Sequence, residues 1–534
     1  MSDQLSKVAE DSARGGFFLI SGSIAVEIIS AIASIMVANF IGSQLYGQYV
    51  LAFVVPQLML LFADMGINQG IMKFAASLRA INETGQIKQL IKCGMVFKAL
   101  IGTVIFIVSF VFADYFAAVL LNRPDLAPYI RIASISIVFQ VILTTATSAF
   151  VGLDKTEYNA LATNIQAVAK AIISLLLVLL GLSVAGALMG LVAGYLVAGL
   201  AGVAMLLFII KRELKEEGKS SFWYNIKKLV SYGMPLYISA LLTGFILPYQ
   251  NVILAMFTSD ADIGSFKAAQ NFVTLITVFS LPITTALLPA FSKLNSTSNS
   301  KTGDFFKLAT KYTTLLIVPT AVMLMIFSNE IVRVIYGSTF QSAALFLLMY
   351  SPLYLLVGIG YLTLSSLFNG LGETRIVFKT TLINVSIFVV LAPLLTSVYS
   401  VPGLIVAFLI SSTVGTSYGS YIARNRFKIK FANKSTIKIY FVSIVASVPA
   451  LLSLYLTPTH VLFNIGPKGF FNLIFGGLLY LFTYATLIPA TKIVTLSELE
   501  KAAEVITKIK FLNLITKPLI RYQRIVIRFF AGTT

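Results

Sequence analysis

The chain has one cysteine, one histidine and one tryptophan in 534 residues. A lone Cys93 excludes an intrachain disulfide. With His460 the only imidazole, no zinc or haem site of the usual His/Cys kind can be assembled, so no metal and no cofactor are expected. Charge is scarce too. Asp, Glu, Lys and Arg make up 11%, against about 25% in soluble domains. Acids are the scarcer sign, with 21 against 40 basic residues. No Walker sequence is present, which argues against ATP hydrolysis. No connector between apolar stretches is long enough to fold as a catalytic domain.

What the chain does have is apolar length. Hydrophobic residues make up 57%, in recurrent uncharged runs close to the roughly 20 residues that a helix needs to cross a bilayer. The short alternating segments of a membrane barrel are missing. The fold class expected is an all-α polytopic membrane protein with about fourteen transmembrane helices. They fall near 16–40, 50–76, 90–112, 130–151, 159–181, 184–210, 230–257, 264–291, 309–328, 343–369, 376–399, 401–423, 438–456 and 469–491. The first run is too long for a signal peptide's apolar core and is read as a retained span.

Basic residues set the direction, because cytoplasmic loops collect Lys and Arg. With the N-terminus inside, the inner loops hold a long series that runs from Arg79, Lys88 and Lys92 through Lys211, Arg212, Lys227 and Lys228 to Lys434 and Lys438. The outer side holds only Arg123, Arg131, Lys267, Arg333 and Lys468. Both termini are then cytoplasmic. The net charge of +19 is a topogenic and anionic-lipid signal, not a nucleic-acid footprint.

The chain also repeats itself. Ala149-Phe150-Val151-Gly152-Leu153-Asp154-Lys155-Thr156 returns as Leu367-Phe368-Asn369-Gly370-Leu371-Gly372-Glu373-Thr374, 218 positions later. Gly47 is echoed by Gly264 and Phe74 by Phe291, both at 217. Each half holds an even number of spans, so the repeat is parallel, with its pseudo-twofold along the membrane normal. The expected organisation is an N-terminal six-helix lobe (1–218), a C-terminal six-helix lobe (219–430), an appended helix pair (431–491) and a basic amphipathic cytoplasmic tail (492–534). In the tail, Ser497-Glu498-Leu499-Glu500 reads as a capping-box start. Arg521, Arg524 and Arg528 share one face, as expected for a helix lying on an anionic inner leaflet.

Charges deep in a span are costly and usually face a cavity or a partner. Substrate-cavity candidates are Glu27, Asp64, Lys98, Gln140, Lys170, Lys267 and Asn271. Ser23, Glu27, Ser30 and Ser34 share one helical face, as do Lys267, Asn271 and Thr274. Glu27 and Asp64 are the ion-coupling candidates, and Glu27, Asp64 and Lys170 can also pair with one another and neutralise the cost. Lys73 and Lys379 lie near inner span ends, where snorkelling explains them.

Three short segments carry a resemblance. Phe40-Ile41-Gly42-Ser43-Gln44-Leu45-Tyr46-Gly47-Gln48-Tyr49 resembles the first external turn of polysaccharide-transport flippases. Asp64-Met65-Gly66-Ile67 looks like their Asp-x-Gly-hydrophobe in the second span, and Gly152-Leu153-Asp154-Lys155-Thr156 their turn after span four. The resemblance covers about residues 10–430. It places the chain in the multidrug/oligosaccharidyl-lipid/polysaccharide flippase superfamily. It implies two six-helix lobes in a V, alternating access and a cationic central cavity. The implied substrate is a polyprenyl-linked oligosaccharide, with glycan-assembly enzymes as possible partners. Arginines are few among the cavity candidates, so Lys98, Lys170 and Lys267 would supply the positive field. Rival readings are a multidrug or cation antiporter of the same fold and, less favoured, a membrane-embedded glycosyltransferase or polymerase. The latter would need acidic groups that the short outer loops hold only as scattered residues.

Overall fold

The structure, a computed structural model, describes residues 2–214, 220–295, 299–429, 431, 433–456, 470–507 and 510–531. His460 and Lys468 lie outside the described residues, as do Lys215 and Lys219 of the polar connector. Among the described residues the elements are helices, with no strand. Among the described residues ten stretches are long and apolar enough to cross a bilayer, so the count of fourteen is not confirmed. Two of them, Thr156–Glu213 and Thr374–Asn425, run to 58 and 52 residues. Each is a hairpin holding two of the expected spans. The first reverses at Ser183 (φ 43°) and the second at Ser400 (φ 52°).

The second expected span is not one helix. Val54–Leu60 and Ile67–Ala80 are separated by a break in which Met65 (φ 47°) and Gly66 (φ 79°) are left-handed. Gly66 meets Gly233 of the Phe222–Phe257 helix backbone to backbone, where a Cβ on either would strike the other's carbonyl. One turn on, Gly70 sits on Leu229 in the same way. These contacts fix how the second span faces the seventh.

The repeat is visible in the backbone itself. After Gly152, the amides of Leu153, Asp154 and Lys155 donate to the carbonyls of Ala149, Val151 and Phe150. After Gly370, Leu371, Gly372 and Glu373 donate to Leu367, Asn369 and Phe368 in the same pattern. The left-handed position of this helix stop is Asp154 (φ 58°) in one copy and Gly372 (φ 77°) in the other, the conformation that ends many helices. Gly152 packs on the carbonyls of Ile71 and Met72; Gly370 packs on the carbonyl of Leu288 and on Phe291. Phe150 and Phe368, the equivalent aromatics, are both fully buried. An ion pair flanks each turn with its sign exchanged: Lys155 to Glu213 at 2.7 Å, and Arg426 to Glu373 at 2.6 Å.

Packing groups the chain into two compact units, Met1–Val278 with Thr381–Phe408, and Phe279–Thr380 with Leu409–Thr534. This partition follows contacts, whereas the sequence lobes 1–218 and 219–430 follow the repeat. In the second unit the tail helices pack on the bundle. Lys311 donates to both carboxylate oxygens of Glu498, at 2.7 and 3.0 Å. Glu498 also accepts from the Thr495 amide at 3.0 Å and the Thr495 hydroxyl at 3.2 Å. The capping box is therefore Thr495-x-x-Glu498, two residues earlier than Ser497. Tyr522 bonds Thr486 at 2.7 Å and packs on Phe482, holding the last helix against Phe470–Ala490.

Candidate functional site

Two polar groups form inside the first unit. The first sits at the break in the second span. Lys98, from Thr84–Val111, donates to Asp64 at 2.8 Å and to Asn68 at 3.0 Å. Its side chain is 2% exposed, against 22% for Asp64. The broken helix is what allows this: the left-handed pair Met65-Gly66 lies between the two acceptors. Lys98 therefore spends its charge on Asp64 and is not presented to a phosphate in this conformation. Asp64, for its part, is held as the lysine's counter-ion. Nearby, Ile137 and Val141 pack with Ala63 and flank Gln140. The Gln140 Oε1 is buried with no hydrogen-bond partner among the described residues.

The second group gathers Glu27, Lys170, Lys267 and Asn271. Helix contacts explain how. Gly22 of the first helix packs on Ala160, and Asn164 donates to the Gly22 carbonyl at 3.4 Å. Further along the same two helices stand Glu27 and Lys170. Gly190 and Gly194 let Ser183–Glu213 lie directly on Ser174 and Lys170, where any Cβ would clash; small residues four apart permit such close approach. Lys170 and Lys267 both feel the charge of Glu27, and Lys267 also feels that of Lys170. Glu27 is exposed and the two lysines are half-buried. One turn from Lys267, Asn271 donates to Ser34 at 3.2 Å and to Tyr46 at 3.3 Å, and Ser34 and Tyr46 share a hydrogen bond of 2.5 Å.

Sequence reasoning passed over Tyr46 in this role. It is the Tyr of the Tyr-Gly-x-Tyr turn, and its ring is buried, so its hydroxyl needs an internal partner. It also passed over Arg123 and Asp260. Arg123 donates to Asp260 at 3.0 Å and to the Thr258 carbonyl at 2.8 Å, and Gln48 donates to Asp260 at 3.2 Å. Beside them the two repeat copies of the external turn touch reciprocally. A Cβ on Gly47 would strike the Asp260 carbonyl, and one on Gly264 would strike the Ser43 carbonyl. Residues 43 and 260 are themselves equivalent at 217. Contact of i with j′ and of i′ with j is what a twofold axis produces.

Comparison with known proteins agrees with this architecture. A curated relative, the "Probable low-salt glycan biosynthesis flippase Agl15" of Haloferax volcanii, is 22% identical over 258 residues, 48% of this chain and 52% of its own. The chain thus matches about half the length of that relative. The fold is shared with a structure titled "Lipid II flippase MurJ, inward closed conformation", at TM-score 0.68 and 18% identity, over 88% of this chain and 98% of that one. It is also shared with an inward-facing multidrug resistance MATE family transporter, at TM-score 0.62 and 16% identity, over 75% and 94%. The family profile described as "Polysaccharide biosynthesis protein" matches residues 12–295, more than half the chain, and the chain belongs to that family.

Proposed function

We propose that the protein is a flippase that moves a polyprenyl-linked oligosaccharide from the inner to the outer leaflet by alternating access, for cell-surface polysaccharide or glycoprotein biosynthesis. The observation that carries the reading is the pair Lys170 and Lys267, two half-buried cations gathered with one exposed carboxylate, Glu27. Lysine offers phosphate a strong point charge. Gln140, with a free buried acceptor, and the Asn271–Ser34–Tyr46 cluster suit sugar hydroxyls. The name of the curated relative, a probable glycan biosynthesis flippase, supports the same reading. Catalysis is not part of this reading. The protein acts in the cell membrane with both termini cytoplasmic, and Arg521, Arg524 and Arg528, all exposed, face anionic inner-leaflet lipid. Glycan-assembly enzymes are its expected neighbours. The lobes are the two repeat halves, with 431–491 appended.

The test is transfer of a fluorescent short-chain polyprenyl-diphosphate oligosaccharide between leaflets of proteoliposomes. Wild type should transfer it, and Lys170→Ala should lose most of the rate. Transfer unaffected by Lys170→Ala discards the cationic pair as the headgroup contact. No transfer by folded wild type with several carriers rejects the flippase reading. An antiporter of the MATE fold, with Glu27 as the coupling acid, would then be assayed under an imposed cation gradient.

A further inference from the structure

A second pair of lysines lies outside the groups described above. Lys73, on Ile67–Ala80, places its ammonium 3.8 Å from the ring centre of Tyr232 and 5.0 Å from that of Phe74. Lys228, on Phe222–Phe257, approaches the same Phe74 ring to 4.7 Å. Phe74 and Tyr232 pack edge to face at 5.4 Å. Sharing one ring keeps the two ammonium groups within about a Debye length, ~10 Å at 0.1 M salt, so they repel. Neither has a carboxylate partner among the described residues. Lys73 is exposed and Lys228 half-exposed.

Packing alone does not explain the arrangement. In the repeat, Phe74 corresponds to Phe291, and the position of Lys73 corresponds to Ala290. The second copy of the fold thus forms with a methyl group where the first carries a cation. Snorkelling accounts for one lysine at a span end, but not for two from different helices brought over one aromatic ring. The juxtaposition is enforced, because Gly66 on Gly233 and Gly70 on Leu229 lock these helices together. Aromatic faces hold cations without neutralising them. The result is a double positive charge, with no carboxylate partner among the described residues, at the end of both spans that the charge pattern assigns to the inner face.

We propose that Lys73 and Lys228, held over Phe74 and Tyr232, form a docking site for a phosphate or diphosphate group at the inner membrane face. Each ammonium can donate to a different oxygen of one such group, and the anion relieves their repulsion. The site deepens the transport reading by placing a first contact for the carrier's phosphate. Its test is binding without turnover, so the two can fail separately.

The only tryptophan, Trp223, is exposed and lies near Lys228 on the same helix, which gives a built-in reporter. The full chain in phosphatidylcholine nanodiscs would be titrated with a polyprenyl diphosphate, with phosphatidylglycerol and with inorganic pyrophosphate, reading Trp223 fluorescence. Saturable binding of polyprenyl diphosphate should weaken at least tenfold in Lys73→Ala and further in K73A/K228A, while Lys379→Ala, at an exposed lysine of another inner span end, leaves it unchanged. Lys73→Ala carries the residue of the equivalent position, so its fold is expected to hold, as thermal unfolding would verify. Competition by pyrophosphate would identify the phosphate group as sufficient, whereas binding of the lipid alone would assign the site to a lipid headgroup. Equal binding of phosphatidylglycerol would reduce the site to general anionic-lipid contact and overturn the diphosphate assignment. Unchanged affinity in both lysine variants would overturn the site itself.

Discussion

Removing Asp64 should harm this protein more than removing Asp64 and Lys98 together. Lys98 is 2% exposed and its ammonium has two acceptors, Asp64 at 2.8 Å and Asn68 at 3.0 Å. In Asp64→Ala the cation stays buried with only the neutral amide oxygen. Breaking one side of a buried pair costs about 3–5 kcal/mol, and the remaining Asn68 contact argues for the lower figure. At about 3 kcal/mol the folded-state equilibrium shifts roughly a hundredfold. Lys98→Met leaves a carboxylate that is already 22% exposed, so water takes over part of the lost contact and the cost falls to about 1–3 kcal/mol. In the double variant no charge is left buried, and apolar replacement of such pairs is often neutral. The assay is the half-life of folded protein in detergent at a fixed raised temperature, read by fluorescence-detected size exclusion for all four members of the cycle. The expected order of stability is wild type, near the double variant, then Lys98→Met, then Asp64→Ala. An Asp64→Ala protein as stable as the double variant would refute the claim that Lys98 is a buried cation dependent on its counter-ion.

Two further expectations come from other ion pairs. Arg123→Ala removes the donors that bind Asp260 and the Thr258 carbonyl, which join the first repeat half to the second at the end assigned outside. If alternating access operates there, cysteines placed near Gln48 should react with an external thiol reagent several-fold faster in Arg123→Ala, and an unchanged rate would count against a latch. At the tail, burial raises the Glu498 carboxyl, but hydrogen bonds from Lys311 and the Thr495 amide outweigh it and the net shift is downward from 4.5. A carboxyl depressed in the folded state stabilises above its unfolded value, and that contribution is lost as pH falls through the folded value. Hydrogen-exchange protection across 496–507, corrected for the intrinsic pH dependence of amide exchange, should therefore be flat near neutrality and fall below about pH 4.5; Glu498→Gln should show the low protection at all pH values.

Much of the architecture was legible because membrane spans and topology leave strong one-dimensional signals. Apolar run length gave the helices, whereas the direction drawn from the basic residues stays an expectation. The repeat was read from Gly152 and Gly370, and a further trace was available. Ser183-Val184-Ala185-Gly186 and Ser400-Val401-Pro402-Gly403 are 217 apart, and both serines take the same unusual left-handed backbone. Gly186 and Gly403 then each pack against a carbonyl of the preceding helix, that of Leu177 or Leu395. The sites were less legible. Periodicity tells which residues share a face of one helix, but not how that face is turned toward another. Lys98 and Asp64 were both singled out, yet their pairing depends on a helix break at Met65-Gly66 that apolar length conceals. Lys73 read as an isolated snorkelling residue because Tyr232, its closest ring, is reached only through the glycine contacts between two spans.

The repeat also supplies an argument about which charges the fold requires. Its two copies share turns, glycine contacts and buried aromatics, yet the charges singled out above are not shared. At 217 positions, Glu27 corresponds to Gly244, Asp64 to Leu281, Lys73 to Ala290, Lys98 to Leu315 and Lys170 to Ile387, while Lys267 corresponds to Val50. The same backbone therefore forms with a small or apolar residue at each place where the other copy carries a charge. A charge in a span costs free energy, and the repeat shows that the fold can be built without it. Five of those charges also answer to one another in space: Lys98 neutralises Asp64, and Glu27 is felt by Lys170 and Lys267; the sixth, Lys73, stands with Lys228 over a shared ring. A symmetric scaffold carrying an asymmetric set of charges suits the asymmetric, anionic substrate proposed above, because a twofold lining would present the same charge twice to a molecule with one phosphate end.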